Sequence, residues 1–290
     1  MKTILVLTDF SINSAYTAHY ALELAQQAEA NLLLCNIYER PSDEQIEEIK
    51  LWPIGNTEGN SINDLGVLLS ELKNALDKDV NRNKYRPDIE QCSKEGLIEN
   101  KLDDIAANRE ILMAVISMHS AGLLNTLLLG NHAGKIIDKA KFPVLLIPYQ
   151  VRYRAYKTIA FATAMNYSDI GVLQSLSGLA GYSESDILVA HVDPGKAESE
   201  RTMEQFFNQV PFKINYPKIL YRKFQNSRVV DSLKLLMKNV DVDLLVLVHR
   251  KAGFFSKLFK RSVVQKLALC ATKPLLIFPC AIALKALPVF

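Results

Sequence analysis

Two stretches of this 290-residue chain read as copies of one another, and that duplication constrains the fold more than any other feature. KTILVLTDF, Lys2 to Phe10, matches KTIAFATAM, Lys157 to Met165, at a shift of 155 residues. At the same shift LLLCNIY, Leu32 to Tyr38, falls on ILVAHVD, Ile187 to Asp193. Near the ends of the copies KFPVLLIP, Lys141 to Pro148, matches TKPLLIFP, Thr272 to Pro279, with the prolines 131 apart. The second copy is therefore shorter in its middle by 155 − 131 = 24 residues. The extra material is assigned to Pro41–Asp64, which is polar and turn-rich. A repeat of this size means two like units, and the length fits about two domains, each with its own core. The join falls near VRYRAY, Val151 to Tyr156, giving domains 1–150 and 151–290.

Each copy alternates short apolar runs with helical periodicity. In the first, TILVLT reads as a strand, and Ala15, Ala18, Leu22 and Ala25 then recur at helical spacing. NLLLCNI is a second strand and DLGVLLSELKNALDKDV a second helix. DIEQCS is a weak third strand, and LIENKLDDIAANRE a helix with Ile98, Leu102 and Ile105 on one face. ILMAVIS, HAGKIIDKA and PVLLIP complete the copy as strand, helix and strand. Continuous apolar strands alternating with amphipathic helices mean a parallel sheet covered on both faces. Ligands of such sheets bind beyond the carboxyl ends of the strands, where the segments after strands one, two and four lie.

Those segments carry the resemblance. TILVLTDFSINSAYTAHYALELA, LLLCNIYE and VISMHSAGLLNTLLLGN followed by PVLLIP resemble the universal stress protein family, and the tandem arrangement is similar to its two-domain members. The resemblance implies two tandem Rossmann-like or flavodoxin-like α/β domains, each a five-stranded parallel sheet covered by helices on both faces. It also implies packing of the halves as a pseudo-dimer and allows a homodimer of chains. Nucleotide-binding members carry the pattern G-x2-G-x9-G-(S/T/N) after the fourth strand. Glycines let backbone amides approach phosphate oxygens, and the following helix N-terminus adds donors. The pattern laid here puts Ser117 and Ser120 on the first two glycines and Gly130 and Asn131 on the last pair, with the spacing intact. Asp9 matches an aspartate that lies beside the adenosine in the family. Ile37, placed after the second strand, matches a residue whose backbone meets the base. ATP or another adenine nucleotide is thus the ligand expected of the first domain. Serine at a glycine position has a cost: a positive φ there disfavours the fold by about 1 kcal/mol, and a Cβ crowds the phosphate. A serine hydroxyl can itself donate to an anion.

The second copy departs further, and no nucleotide is expected there. Ala164 stands where Asp9 stands in the first, and Val248, Lys251 and Arg261 take the glycine positions, with Ser262 last. With Arg250, the two cations either attract an anionic ligand, fill or screen an emptied pocket, or are simply solvated.

No catalytic or metal-binding constellation is legible, and an enzyme is not expected. His119 and His132 flank the first loop as polar contacts, His19 belongs to the first helix, and His191 is packed on a strand. Walker, HEXXH and GxSxG patterns are missing from the sequence, and adjacent Asp103 and Asp104 point different ways on a helix. A net charge of +3 makes no case for nucleic acid. Cys35, Cys92, Cys270 and Cys280 form no CxxC pair, which argues for a reducing compartment and against disulfides or zinc. MKTILVLTDF reads as a first strand and not a signal peptide. The proline-broken tail PLLIFPCAIALKALPVF is too short to span a bilayer, so a cytoplasmic protein without membrane contact is expected. DEQIEEIK reads as a solvated face, GFFSKLFK as a packing surface, and AIALKALPVF as a segment that docks on its own or a partner chain. Three functions fit: a nucleotide sensor without efficient turnover, a protein–protein scaffold that has lost nucleotide binding, and an anion binder using Lys251 and Arg261.

Overall fold

The computed structural model describes residues 1–38, 58–79, 84–118, 131–165, 167, 169–193, 198–225, 228–249, 261–268, 271–279 and 290. They form two compact units, Met1–Ser117 and Met118–Phe290.

The first unit contains β1 (Lys2–Leu7), α1 (Ile12–Gln27), β2 (Asn31–Tyr38), α2 (Glu58–Lys78), β3 (Ile89–Glu95), α3 (Ile98–Ala106) and β4 (Glu110–Ser117). Its strands are parallel in the order β3-β2-β1-β4. Residues 3–7 of β1 are buried, as a strand covered on both faces requires. α1 lies on the sheet through small side chains, with Ala18, Ala21 and Ala25 fully buried. Its N-terminus is capped by Ser11, whose Oγ accepts the Ser14 amide at 3.2 Å. β3 has only Ile89 buried, which is why it reads so weakly in the sequence. α3 buries Ile98, Leu102 and Ile105 as its periodicity predicts. α2 starts at Glu58 and not at Asp64, because the polar residues before the apolar stripe continue the helix. The segment read as extra, turn-rich material, Pro41–Asp64, is therefore helical at its end.

The second unit contains α4 (Asn131–Lys139), β5 (Val144–Ile147), β6 (Thr158–Thr163), α5 (Asp169–Gly181), β7 (Asp186–Asp193), α6 (Glu198–Lys213), β8 (Ile219–Gln225), α7 (Val229–Asn239), β9 (Leu244–His249), α8 (Arg261–Ala268) and β10 (Leu275–Pro279). The strands of the second copy run parallel in the order β10-β9-β6-β7-β8, a five-stranded parallel sheet. β5, the last strand of the first copy, pairs antiparallel with β10. Contacts thus group β5 with the second unit, whereas sequence similarity groups it with the first copy. Leu145 sits opposite Leu276, its own equivalent in the repeat, flanked by Val144–Ile277 and Leu146–Leu275. The two strands are related locally by a two-fold axis.

Of the tail, residues 280–289 lie outside the described residues, but Phe290 is buried against α5 of its own chain. A Cβ on Gly178 would lie 2.8 Å from the Phe290 carbonyl oxygen. Gly178→Ala is expected to unseat Phe290 and to destabilise the second unit by about 1–3 kcal/mol, as overpacking does. Urea midpoints of Gly178→Ala, Phe290→Ala and the double variant check this: the double should be no worse than the worse single, and full additivity would disprove the contact. Among the described residues no helix is long and apolar enough to cross a membrane.

Candidate functional site

The turn after β1 is built by short polar side chains. Thr8 donates its amide to the Cys35 carbonyl at 3.0 Å, continuing the β1–β2 ladder by one bond. Thr8 Oγ1 donates to Ser14 Oγ at 3.0 Å and accepts the Phe10 amide at 3.1 Å. Phe10 is left-handed, with φ of 60°, a strain of about 1 kcal/mol that these bonds hold in place. The reversal leaves Asp9 exposed at the C-terminal edge of the sheet, and its Oδ1 accepts from Ser11 N at 3.1 Å and Ser11 Oγ at 2.6 Å. One serine thus caps α1 and orients the aspartate.

A buried relay secures the turn from the other side. Asn36 Nδ2 donates to the Thr8 carbonyl at 2.8 Å, and its Oδ1 accepts from Ser61 of α2 at 2.8 Å. Ser61 Oγ is also 2.7 Å from Ser93 Oγ on β3. β1, β2, β3 and α2 are pinned together at the edge where a ligand would sit.

The second copy keeps this frame and changes the residues that build it. Thr163 Oγ1 accepts the Met165 amide at 2.7 Å, and Met165 repeats the left-handed turn with φ of 56°. Asp169 stands at the position of Ser14, and its carboxylate accepts from Thr163 Oγ1 at 2.7 Å. His191 stands at the position of Asn36, with Nδ1 3.0 Å from the Thr163 carbonyl. A carbonyl only accepts, so Nδ1 donates this bond, and the buried Nε2 has no hydrogen-bond partner among the described residues. The turn residue Ala164 offers no carboxylate, and the acid that this turn does have, Asp169, is only 1% exposed. The first copy has an exposed acid at Asp9; the second has a buried one at a different position, Asp169.

The structure brings Asp9, Ile37 and Ser117 to one edge of the first sheet, β1 lying between β2 and β4. Ile37 lies within β2, not after it, half-buried and paired with Lys94 of β3. Ser117 is the last residue of β4 and is not among the residues with positive φ. The strain expected of a serine at this glycine position does not arise there, because Ser117 finishes the strand in extended backbone. Ser120 and Gly130 lie outside the described residues, as do His119, Arg250 and Lys251. Asn131 is the first residue of α4 and Arg261 the first of α8. Val248 is buried in β9. His19 is half-buried on α1, and Asp103 and Asp104 are exposed on α3. Among the described residues no group of three or more metal-ligating side chains occurs.

On the α2 side of the turn lies a cleft of about 280 Å³, with Thr8, Phe10, Ser11 and Ser14 on one wall and Asp64 and Glu71 on another. Two carboxylates there oppose a phosphate. Sequence reasoning missed the Thr8–Asn36–Ser61 relay and its Thr163–His191 counterpart, although the 155-residue shift already aligns Thr8 with Thr163 and Asn36 with His191. It also missed His249, buried at the end of β9, whose Nε2 donates to Asp138 Oδ1 of α4 at 2.9 Å. No local motif announces a pair 111 residues apart.

The model of the universal stress protein family matches residues 1–148. No curated relative matches the chain. A universal stress protein from Archaeoglobus fulgidus DSM 4304 is similar over 96% of this chain and 98% of its own, with a TM-score of 0.64 and 13% identity. A putative universal stress protein from Pseudomonas aeruginosa UCBPP-PA14 is similar over 97% of this chain and 94% of its own, with a TM-score of 0.59 and 11% identity. A universal stress protein solved in complex with cAMP matches 43% of this chain and 98% of its own, with 21% identity and a TM-score of 0.35.

Proposed function

This chain belongs to the universal stress protein family, and on that premise we propose that its first copy, residues 1–150, senses an adenine nucleotide without efficient turnover. The second copy, residues 151–290, is a degenerate partner with no nucleotide of its own. The observation that carries this reading is the contrast between the two turns. Asp9 is exposed and held by Ser11 at the edge where β1 lies beside β4, whereas Asp169 is buried and engaged by Thr163. An oriented, exposed carboxylate is suited to accept from a ribose hydroxyl. Gly130 and Asn131, before and at the start of α4, supply the backbone donors of a phosphate cradle. Ser117 and Ser120 add hydroxyl donors in place of two amide approaches, and Ile37 meets the base. The same reading places the protein in the cytoplasm, where adenine nucleotides are abundant, with the two copies associated as a pseudo-dimer.

The test is direct. The purified chain is denatured, the protein removed, and any released nucleotide identified by chromatography and mass; ATP, ADP, AMP and cAMP are then titrated at millimolar levels in a thermal-shift assay. Released nucleotide or a reproducible shift is expected. Asp9→Ala should weaken the affinity about tenfold or more, the loss of one charge-assisted hydrogen bond of about 1.5–3 kcal/mol. Asp9→Asn, which keeps a carbonyl acceptor for Ser11, controls for damage to the turn. No released nucleotide and no shift would leave a scaffold that acts through its surfaces. The extended backbone of Ser117 is what favours that second reading, since nothing about it is specialised for an anion.

A further inference from the structure

Cys35 and Cys92 are far apart in sequence but are direct partners in the β2–β3 register. Neighbouring parallel strands lie about 4.8 Å apart, inside the range of about 4.4–6.8 Å between α-carbons that a disulfide accepts. Both thiols lie on the same face. Asn36 and Ser93, the next pair in register, meet Ser61 of α2, so the alternation of the strands sends Cys35 and Cys92 to the opposite face, which α3 covers. Cys35 is fully buried in the first unit, with Sγ 3.9 Å from the Asn36 carbonyl. Cys92 is half-exposed on β3, which pairs with β2 alone among the described strands. The two thiols differ in character. Cys92 is held below the ordinary thiol range, chiefly by the hydrogen bond from Cys35 and then by Lys94 and Arg109, against its burial and Glu90. Cys35 is pushed above that range by the same hydrogen bond and by burial. A half-exposed thiol beside a buried one, paired in register, is the arrangement of an attacking and a resolving sulfur.

We propose that Cys35 and Cys92 form a dithiol site that reacts with hydroperoxides and closes to a disulfide between β2 and β3. The Cys92 thiolate attacks the O–O bond of the hydroperoxide; a Cys92 sulfenic acid forms, and the other oxygen takes up a proton and leaves as an alcohol, or as water from hydrogen peroxide. Cys35 sulfur then attacks the Cys92 sulfur, the S–S bond forms, and the hydroxyl leaves as water with the Cys35 thiol proton. Each sulfur gives up one electron, and the O–O bond takes the pair. The reaction is independent of nucleotide binding. It places an oxidant-sensitive cross-link in the row next to Ile37 and Lys94, on the same face of the sheet.

Reduced, full-length protein is exposed to hydrogen peroxide in its native state; remaining thiols are alkylated, and peptides are mapped by mass without reduction. A Cys35–Cys92 linked peptide is expected, formed at least about tenfold faster than in the same chain unfolded in guanidinium. Cys92→Ser should eliminate the link, and Cys35→Ala should leave a Cys92 sulfenic acid that dimedone traps. The wild-type map needs no variant, so a misfolded mutant cannot hide the answer. The proposal is overturned if both thiols remain alkylatable, if the native chain links no faster than the unfolded one, or if either sulfur pairs with Cys270, Cys280 or another chain.

Discussion

Gly130→Val is expected to weaken adenine nucleotide binding by at least about a hundredfold, roughly 2.7 kcal/mol, while the fold survives. Gly130 itself lies outside the described residues, immediately before Asn131, where α4 begins. At a helix start the free amides point along the axis and favour an anion, and an amide can approach phosphate closely only where no side chain intervenes. Two serines already take the places of the earlier glycines, so Gly130 is the last glycine left of the pattern. Valine puts two methyls there. Isothermal titration of the wild type and the variant with ATP measures the effect, and melting without ligand checks the fold. Equal affinities would remove Gly130, and with it the family's phosphate loop, from the site.

Phe161→Ala is expected to destabilise the second unit strongly. Phe161 is fully buried in β6, which runs between β9 and β7, and is paired with Val246 on one side and Val189 on the other. Truncating a core phenylalanine costs about 3–5 kcal/mol, since the neighbours relax only partly into the cavity. For a unit of this size that lowers the melting temperature by roughly 6–20 °C. Calorimetry would show the loss. A change below about 1 kcal/mol would mean that the β6 layer is not packed as described.

The fold was largely legible because its determinants are periodic. The continuous apolar runs of β1, β2, β4 and β9 survive any choice of tertiary context, and Ile98, Leu102 and Ile105 mark the buried face of α3 without ambiguity. What escaped is what depends on three dimensions. The polar start of α2 carries no apolar signal, so the helix reads as beginning six residues late. Cys35 and Cys92 look scattered until strand register makes them partners. Asp169 carries no signal in the sequence, and its burial against Thr163 is seen only in the structure. The left-handed turns at Phe10 and Met165 were equally hidden, since neither phenylalanine nor methionine favours positive φ. Asp9 was found through resemblance, and its orientation by Ser11 could be seen only in the structure.

The antiparallel pairing of β5 with β10 has one further consequence. Leu145 faces Leu276, so each strand offers the other the same surface, as subunits do across an isologous interface. Two separate molecules making that contact would part on dilution. Here both strands belong to one polypeptide, and a tether sets an effective concentration in the millimolar range or above that no dilution changes. One strand is also freed from matching an identical partner. The two sequences, VLLI and LLIFP, can drift apart residue by residue so long as the pair still fits. Covalent linkage of the copies thus removes the demand for identity that a contact between two separate like molecules would impose.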